Sequence, residues 1–169
     1  MNHPPDFAMN TDTRIAPLAR HARNKTLAAW LALVGGTFGW HRLYLYGWQD
    51  MWAWVHAIPT ALGLWGVDRV LTYGQDDKLS WLLLPLLGLS IAVACLTAIV
   101  YALRTPEQWN ARHNPQLAPD ARAGHTHWLT VGALVFALML GAIGLMGSLA
   151  FGIQRYFEYQ IEEGLKISQ

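Results

Sequence analysis

Two long segments of the chain contain no Asp, Glu, Lys or Arg, and they constrain the fold more than any other feature. Residues 79–103 form one such segment of 25 residues, and residues 128–153 form another of 26. As α-helices, each would be roughly 38 Å long, which is enough to cross about 30 Å of hydrocarbon with some tilt. Both segments therefore predict transmembrane helices.

The composition of the whole chain points the same way. Only 14% of the 169 residues are charged, against about 25% in an ordinary soluble domain, while 53% are hydrophobic and nine are Trp. The formal charge of +1 leaves no broad basic face for nucleic acid. The single cysteine, Cys95, excludes an internal disulfide and a cysteine-rich metal site. We therefore expect a lipid bilayer, and no nucleic acid, as a partner.

Two N-terminal segments predict transmembrane helices less strongly. Residues 51–67 carry no charge, but they reach spanning length only if the helix continues through Asp68 and Arg69. Residues 27–40 would form a helix of roughly 21 Å, which reaches roughly 30 Å only by continuing through His41 and Arg42 to about residue 46. The expected fold is an all-α integral membrane protein with four transmembrane helices, an N-terminal helical hairpin plus two further spans.

The remaining segments are polar, and they complete the expected division of the chain. It consists of a disordered tail (1–25), a helical hairpin (26–73), a third transmembrane helix (79–103), a polar loop (104–127), a fourth transmembrane helix (128–153) and a polar or amphipathic C-terminal tail (154–169). Four spans would put both termini and the 69–78 connection on one side. Eight of the twelve basic residues would lie there, so the positive-inside rule predicts cytoplasmic termini in an inner or plasma membrane.

The most specific motif lies inside the expected hairpin. Residues 35–47 read GGTFGWHRLYLYG, Lys25 precedes them, and GLWGVD follows at residues 63–68. This pattern resembles the TM-two (two-transmembrane-helix) domain family over about residues 25–72. The matching positions are Lys25, Gly36, Gly39, His41, Arg42, Tyr44, Leu45, Trp65 and Asp68.

The sequence departs from the family pattern at two positions. Leu43 stands where Phe is usual, and Tyr46 precedes the glycine that normally follows Leu directly, so the turn after the motif is expected to be one residue longer. The resemblance implies a helical hairpin in a multi-pass membrane protein, and it implies no defined reaction.

The polar residues of the hairpin have two interpretations. In an antiparallel hairpin that turns near residue 48, His41 lies at the level of His56, and Asp68 lies near Lys25 and roughly 20 Å from Arg42. Arg42 and Asp68 would then act as interfacial anchors. The alternative is a small transporter or channel component with a polar path lined by His41, Arg42 and His56.

Small residues recur at spacings of four and predict close helix packing. They are Gly35 and Gly39, then Ala133, Ala137 and Gly141, then Gly144, Ser148 and Gly152. We expect packing within the chain more than self-association.

Motifs of catalysis are missing from the sequence. There is no nucleophile elbow, phosphate loop or dinucleotide fingerprint, and His125 and His127, with His113 upstream, lack a third carboxylate or thiolate for a metal. We therefore expect no enzymatic activity, no metal and no cofactor. The expected role is structural or interaction-based, with another membrane protein or a second copy of the chain as partner; a lipid-modifying enzyme is a weaker alternative.

Overall fold

The computed structural model describes residues 22–168, so most of the expected N-terminal tail (1–25) lies outside the described residues. Within residues 22–168 the protein is helical and contains no strand. Two short 3₁₀ turns lie at Gly36–Phe38 and Arg122–Gly124. The α-helices are α1 (Lys25–Gly35), α2 (Trp40–Tyr46), α3 (Met51–Tyr73), α4 (Lys78–Leu103), α5 (Pro106–His113) and α6 (Trp128–Ile167).

The two uncharged segments form the two helices that are long and apolar enough to cross a membrane. In their most apolar windows only 22% of the residues in α4, and 17% in the segment that contains α6, are buried inside the protein. A core helix of a soluble protein would be mostly buried, so this exposure is typical of helices that face lipid. α6 has 40 residues and is about 60 Å long, because it continues through the polar C-terminal segment without a break.

α4 lies at the centre of the bundle and runs antiparallel to both α3 and α6. Against α6, Cys95 lies beside Gly141 and Gly88 beside Gly144; against α3, Leu87 lies beside Gly63. The three helices therefore alternate in direction. One end of the bundle carries the connection 104–127 (the 104–127 end), and the other carries the turn 74–77 (the 74–77 end).

The prediction of a single helix from about residue 27 to residue 46 is wrong. α1 ends at Gly35, a 3₁₀ turn follows, and Gly39 adopts a φ of 77° before α2 begins. α2 then runs back beside α1, so that the Tyr44 hydroxyl accepts a hydrogen bond from the Asn24 amide at 2.9 Å. A Cβ at position 39 would meet the Ala53 carbonyl, and φ is positive there, so only glycine fits this turn.

The first described residues lie at the 104–127 end. The Arg23 amide donates to Asn114 Oδ1 at 2.7 Å, and Lys25 Nζ donates to the Arg104 carbonyl at 2.9 Å. The end of α6 lies at the 74–77 end, where Arg155 Nη2 donates to Gln75 Oε1 at 2.9 Å. Residues 23–25 and the end of α6 therefore lie at opposite ends of the bundle, whereas the expected four spans would place them at the same end. Because α1 and α2 turn back together, residues 22–168 run the length of the bundle three times, in α3, α4 and α6.

Candidate functional site

α1, the 3₁₀ turn and α2 form a short hairpin, residues 25–46, that docks on the three long helices. α1 has 11 residues and is about 16 Å long, so the hairpin reaches only to the middle of α4. At its tip Gly36 lies beside Ala94, and Thr60 Oγ1 donates to the Thr37 carbonyl at 2.8 Å. Gly36 and Gly39 are buried. The non-helical backbone at these two glycines is thus covered by protein.

Three aromatic side chains meet immediately beneath the tip. The His41 ring is 2% exposed, and its centroid lies 5.6 Å from that of His56 and 5.9 Å from that of Tyr101, both edge to face. Nδ1 of His41 is buried and has no hydrogen-bond partner among the described residues. Nδ1 of His56 lies 2.7 Å from the Trp52 carbonyl, so it is the protonated nitrogen. The structure thus brings together the two histidines expected at one depth and adds Tyr101, which no sequence pattern singled out.

Arg42 turns away from this aromatic cluster. Its Nε donates to Asp50 Oδ2 at 2.7 Å, and its guanidinium lies 5.1 Å from the Tyr46 ring centroid. Asp50 also caps α3 by accepting from the Trp52 amide at 3.1 Å. The hydrogen bond from Arg42 holds the pKa of the Asp50 carboxyl below its ordinary value. Asp50 was missed in the sequence, although an Asp directly before an apolar helix is a capping signal.

A groove of about 290 Å³ opens between α3 and α4 next to the hairpin tip. Most of its lining is apolar, with Trp52, Val55 and Pro59 on α3. Its polar side chains are His56, Thr37 and Ser90, and the Ser90 hydroxyl is occupied by a bond to the Leu86 carbonyl at 2.7 Å. Arg42 does not line the groove, so the three residues of the expected polar path are not on one surface.

A polar clamp fastens the start of the short hairpin to α5. Trp109 is fully buried and donates from Nε1 to the Arg23 carbonyl at 2.7 Å, and its ring lies 4.3 Å from that of His113. Arg104 Nη1 lies 3.4 Å from His113 Nε2. Burial and the neighbouring Arg104 and Arg112 lower the pKa of His113 to about 4. His113 is therefore neutral near pH 7 and accepts from Arg104.

Lys25 belongs to the same end of the molecule. Its side chain is fully buried, and Nζ donates to Thr126 Oγ1 at 2.6 Å as well as to the Arg104 carbonyl. Burial lowers the pKa of Lys25 from its ordinary value. His125 and His127 are exposed nearby, and no group of three metal-ligating side chains exists within residues 22–168.

The other motif residues lie far from this end. Asp68 and Trp65 are exposed on α3 toward the 74–77 end, where Arg69 forms two hydrogen bonds of 2.7 and 2.8 Å to Asp77. The expectation that Asp68 lies near Lys25 is wrong. Lys25, at the start of α1, lies at the 104–127 end, whereas Asp68 lies near the end of the parallel helix α3, at the 74–77 end. The family-like motif is therefore spread along the bundle and does not form one site.

The small residues of α6 serve the contact with α4. Ala137 is buried, a Cβ on Gly141 would lie 2.9 Å from Cys95 Cβ, and one on Gly144 would lie 3.0 Å from the Gly88 carbonyl. Ser148 is buried beside Gly88. Gly152 is the exception, since nothing lies within 4 Å of the position of its Cβ. Gly35 and Gly39 instead make room for Trp40 and for α3 in the hairpin turn.

No family model, curated protein or solved structure matches this chain.

Proposed function

We propose that the chain is an integral membrane protein in which α3, α4 and α6 cross the bilayer and the short hairpin enters it from one side without crossing. α3 has 23 residues and is about 34 Å long, which suffices for a span. Its exposed face carries Val55, Ile58 and Leu62, which lipid would cover. The two long apolar helices and this face together support three crossings.

The distribution of basic side chains supports one orientation. The 104–127 end of the described chain has six, and the 74–77 end has four; these are Arg23, Lys25, Arg42, Arg104, Arg112 and Arg122, and Arg69, Lys78, Arg155 and Lys166. The positive-inside rule therefore favours a cytoplasmic 104–127 end and a C-terminal segment on the other side.

Cysteine labelling tests this topology. In a Cys95→Ser background, Gln116→Cys and Gln160→Cys each place one thiol at an exposed position, at opposite ends of the bundle. A membrane-impermeant maleimide added to intact cells should label position 160 and should label position 116 only after permeabilisation. Labelling of both positions from the same side would refute the three-pass topology.

We propose an interaction role for the protein, and the carrying observation is the free apolar stripe on the end of α6. Beyond Arg155, Phe157, Ile161 and Leu165 recur at every fourth position and are 60%, 63% and 60% exposed. A helix that leaves the bundle with such a stripe is suited to pack against another helix, from a different membrane protein or from a second copy of the chain.

A matched pair of substitutions tests this role. Ile161→Gln removes an apolar side chain from the stripe, whereas Glu163→Gln creates the same residue on another face of α6. Crosslinking in native membranes, followed by purification and identification of the crosslinked species, should give a defined adduct that Ile161→Gln reduces and Glu163→Gln retains. No adduct, or equal loss in both variants, would refute the interaction role.

Transport is the alternative function, and the cluster at the hairpin tip is the observation that favours it. A buried histidine with an unpartnered nitrogen lies next to a second histidine and a tyrosine, between the hairpin tip and the 104–127 end, and such a cluster is suited to hold a proton or a small polar solute. Proteoliposomes loaded with a pH-sensitive dye should then acidify faster than protein-free liposomes, and His56→Phe should slow them. Equal rates with and without protein would exclude a proton path.

A further inference from the structure

A second cleft lies between α4 and α6 at the 74–77 end. Its volume is about 310 Å³. Its lining combines two basic and three aromatic side chains and contains no carboxylate. The lining residues are Lys78, Trp81, Leu82, Gly152, Arg155, Tyr156 and Tyr159.

The two basic side chains differ in how far their charges are already compensated. The Arg155 side chain is 10% exposed; Nη1 donates to Glu158 at 2.5 Å and Nη2 to Gln75, while Nε is buried without a partner. Lys78 Nζ lies 5.2 Å from the Tyr159 ring centroid, and no carboxylate of residues 22–168 lies within ion-pairing distance of it. The nearby Asp77 is occupied by Arg69. Lys78 therefore gives the cleft its uncompensated positive charge.

An apolar cleft of about 390 Å³ continues along the same seam of α4 and α6. Leu89 and Leu96 line it from α4, at seven and fourteen residues beyond Leu82 of the basic cleft. Leu145 and Leu138 line it from α6, at the same spacing before Gly152. Since seven residues are nearly two full turns, both clefts lie on one face, and the second begins about 10 Å deeper.

We propose that this face binds one anionic phospholipid, with its phosphate at Lys78 and Arg155 and an acyl chain along the apolar cleft. A Lys or Arg side chain near the membrane surface attracts the phosphate of an anionic lipid, and Trp and Tyr favour the headgroup level at both interfaces of a bilayer. Tyr156 and Tyr159 supply phenol donors at that level. The Trp81 ring lines the cleft, but its indole N–H is already donated to the Gln75 carbonyl at 2.8 Å. The inference rests on the proposed membrane location, and it is independent of any protein partner.

Native mass spectrometry of the detergent-purified protein tests the site. With phosphatidylglycerol added, the wild type should retain one lipid, and phosphatidylcholine at the same concentration should bind more weakly. Lys78→Gln should weaken phosphatidylglycerol binding roughly fivefold, the effect of one cation near an anionic headgroup. Lys166→Gln is the matched control, because Lys166 lies on the same end of α6, outside the cleft and paired with Glu163.

A second variant tests the acyl cleft. Leu145→Trp should fill it and lower retention of phosphatidylglycerol without changing the headgroup residues. Equal retention of the two lipids, an unchanged Lys78→Gln variant, or equal loss in Lys166→Gln would overturn the proposal, as would displacement by glycerol phosphate at lipid-equivalent concentration. Carbonate extraction of cell membranes reports the membrane location separately, so protein released by carbonate would refute that premise rather than the site.

Discussion

Substitution of Gly39 tests whether the short hairpin turns back in the protein. Two free-energy costs apply to a side chain at this position. The first is conformational, because the backbone φ of 77° lies in the left-handed region, which costs a non-glycine residue about 1–2 kcal/mol. The added Cβ also meets the Ala53 carbonyl, and overpacking costs about 1–3 kcal/mol. Gly39→Ala should therefore destabilise the protein by about 2–5 kcal/mol.

The assay is thermal unfolding in a fixed detergent, followed by far-ultraviolet circular dichroism. For a chain of this length each kcal/mol shifts Tm by about 2–4 °C, so Gly39→Ala should lower Tm by roughly 4–20 °C. Gly147→Ala is the matched control, because Gly147 lies inside α6 with nothing within 4 Å of its Cβ position. It should change stability by no more than about 1 kcal/mol.

Gly39→Asn separates the two costs. Asn tolerates the left-handed region better than Ala but carries the same Cβ, so it should remove much of the conformational penalty and keep the clash with α3. Equal Tm values for Gly39→Ala and Gly147→Ala would refute the turn. A Gly39→Asn variant as stable as the wild type would refute the close approach to Ala53.

Two further predictions concern ionisable groups at the 104–127 end. The pKa of His113 is about 4 in the folded protein against an ordinary value of 6.5, so the unfolded chain binds a proton first; stability should fall as the pH drops from 6.5 toward 4. His113→Gln should reduce this fall in a Tm-versus-pH series, and a variant of the exposed His125 should match the wild type. Arg42→Ala and Asp50→Ala should each lower membrane accumulation, with the double variant losing less than the sum. Asp68→Asn should leave membrane accumulation unchanged, because Asp68 is exposed. A double variant that loses the sum of the two single losses would contradict the ion pair between Arg42 and Asp50.

The two long C-terminal helices were predictable because one property, an uncharged apolar segment, determines both. An uncharged apolar segment of 25 residues has few alternatives to a long helix. The prediction of a long helix is confirmed for both segments, by α4 and by α6. The same property did not determine whether the N-terminal segments also cross. The first segment reached spanning length only when His41 and Arg42 were included, and the glycines at 35, 36 and 39 are strong helix-ending signals that the length argument did not weigh.

The partners of the polar residues were the least predictable part of the site. Expecting His41 and His56 at one depth relied on a continuous hairpin, yet they do meet, because α2 and the start of α3 pack side by side. The clamp from Trp109 to the Arg23 carbonyl joins residues 86 positions apart. No local pattern encodes such a contact, since it depends on where the short hairpin turns back.

The positive-inside rule does not distinguish the two topologies. In the four-pass arrangement eight basic residues share a side with both termini, and four lie opposite. In the three-pass arrangement Arg42 and the three arginines of the 104–127 connection join the N-terminal group, while Arg69, Lys78, Arg155 and Lys166 leave it, so the division is again eight to four when Arg14 and Arg20 are counted with Arg23. The charges alone favour a side for the N-terminal segment, and they carry no information about the number of crossings. The topologies differ in where the segment before α1 lies. The contacts of Arg23 with Asn114 and Trp109 favour the three-pass proposal, because they require that segment and the 104–127 connection to lie at the same end of the bundle.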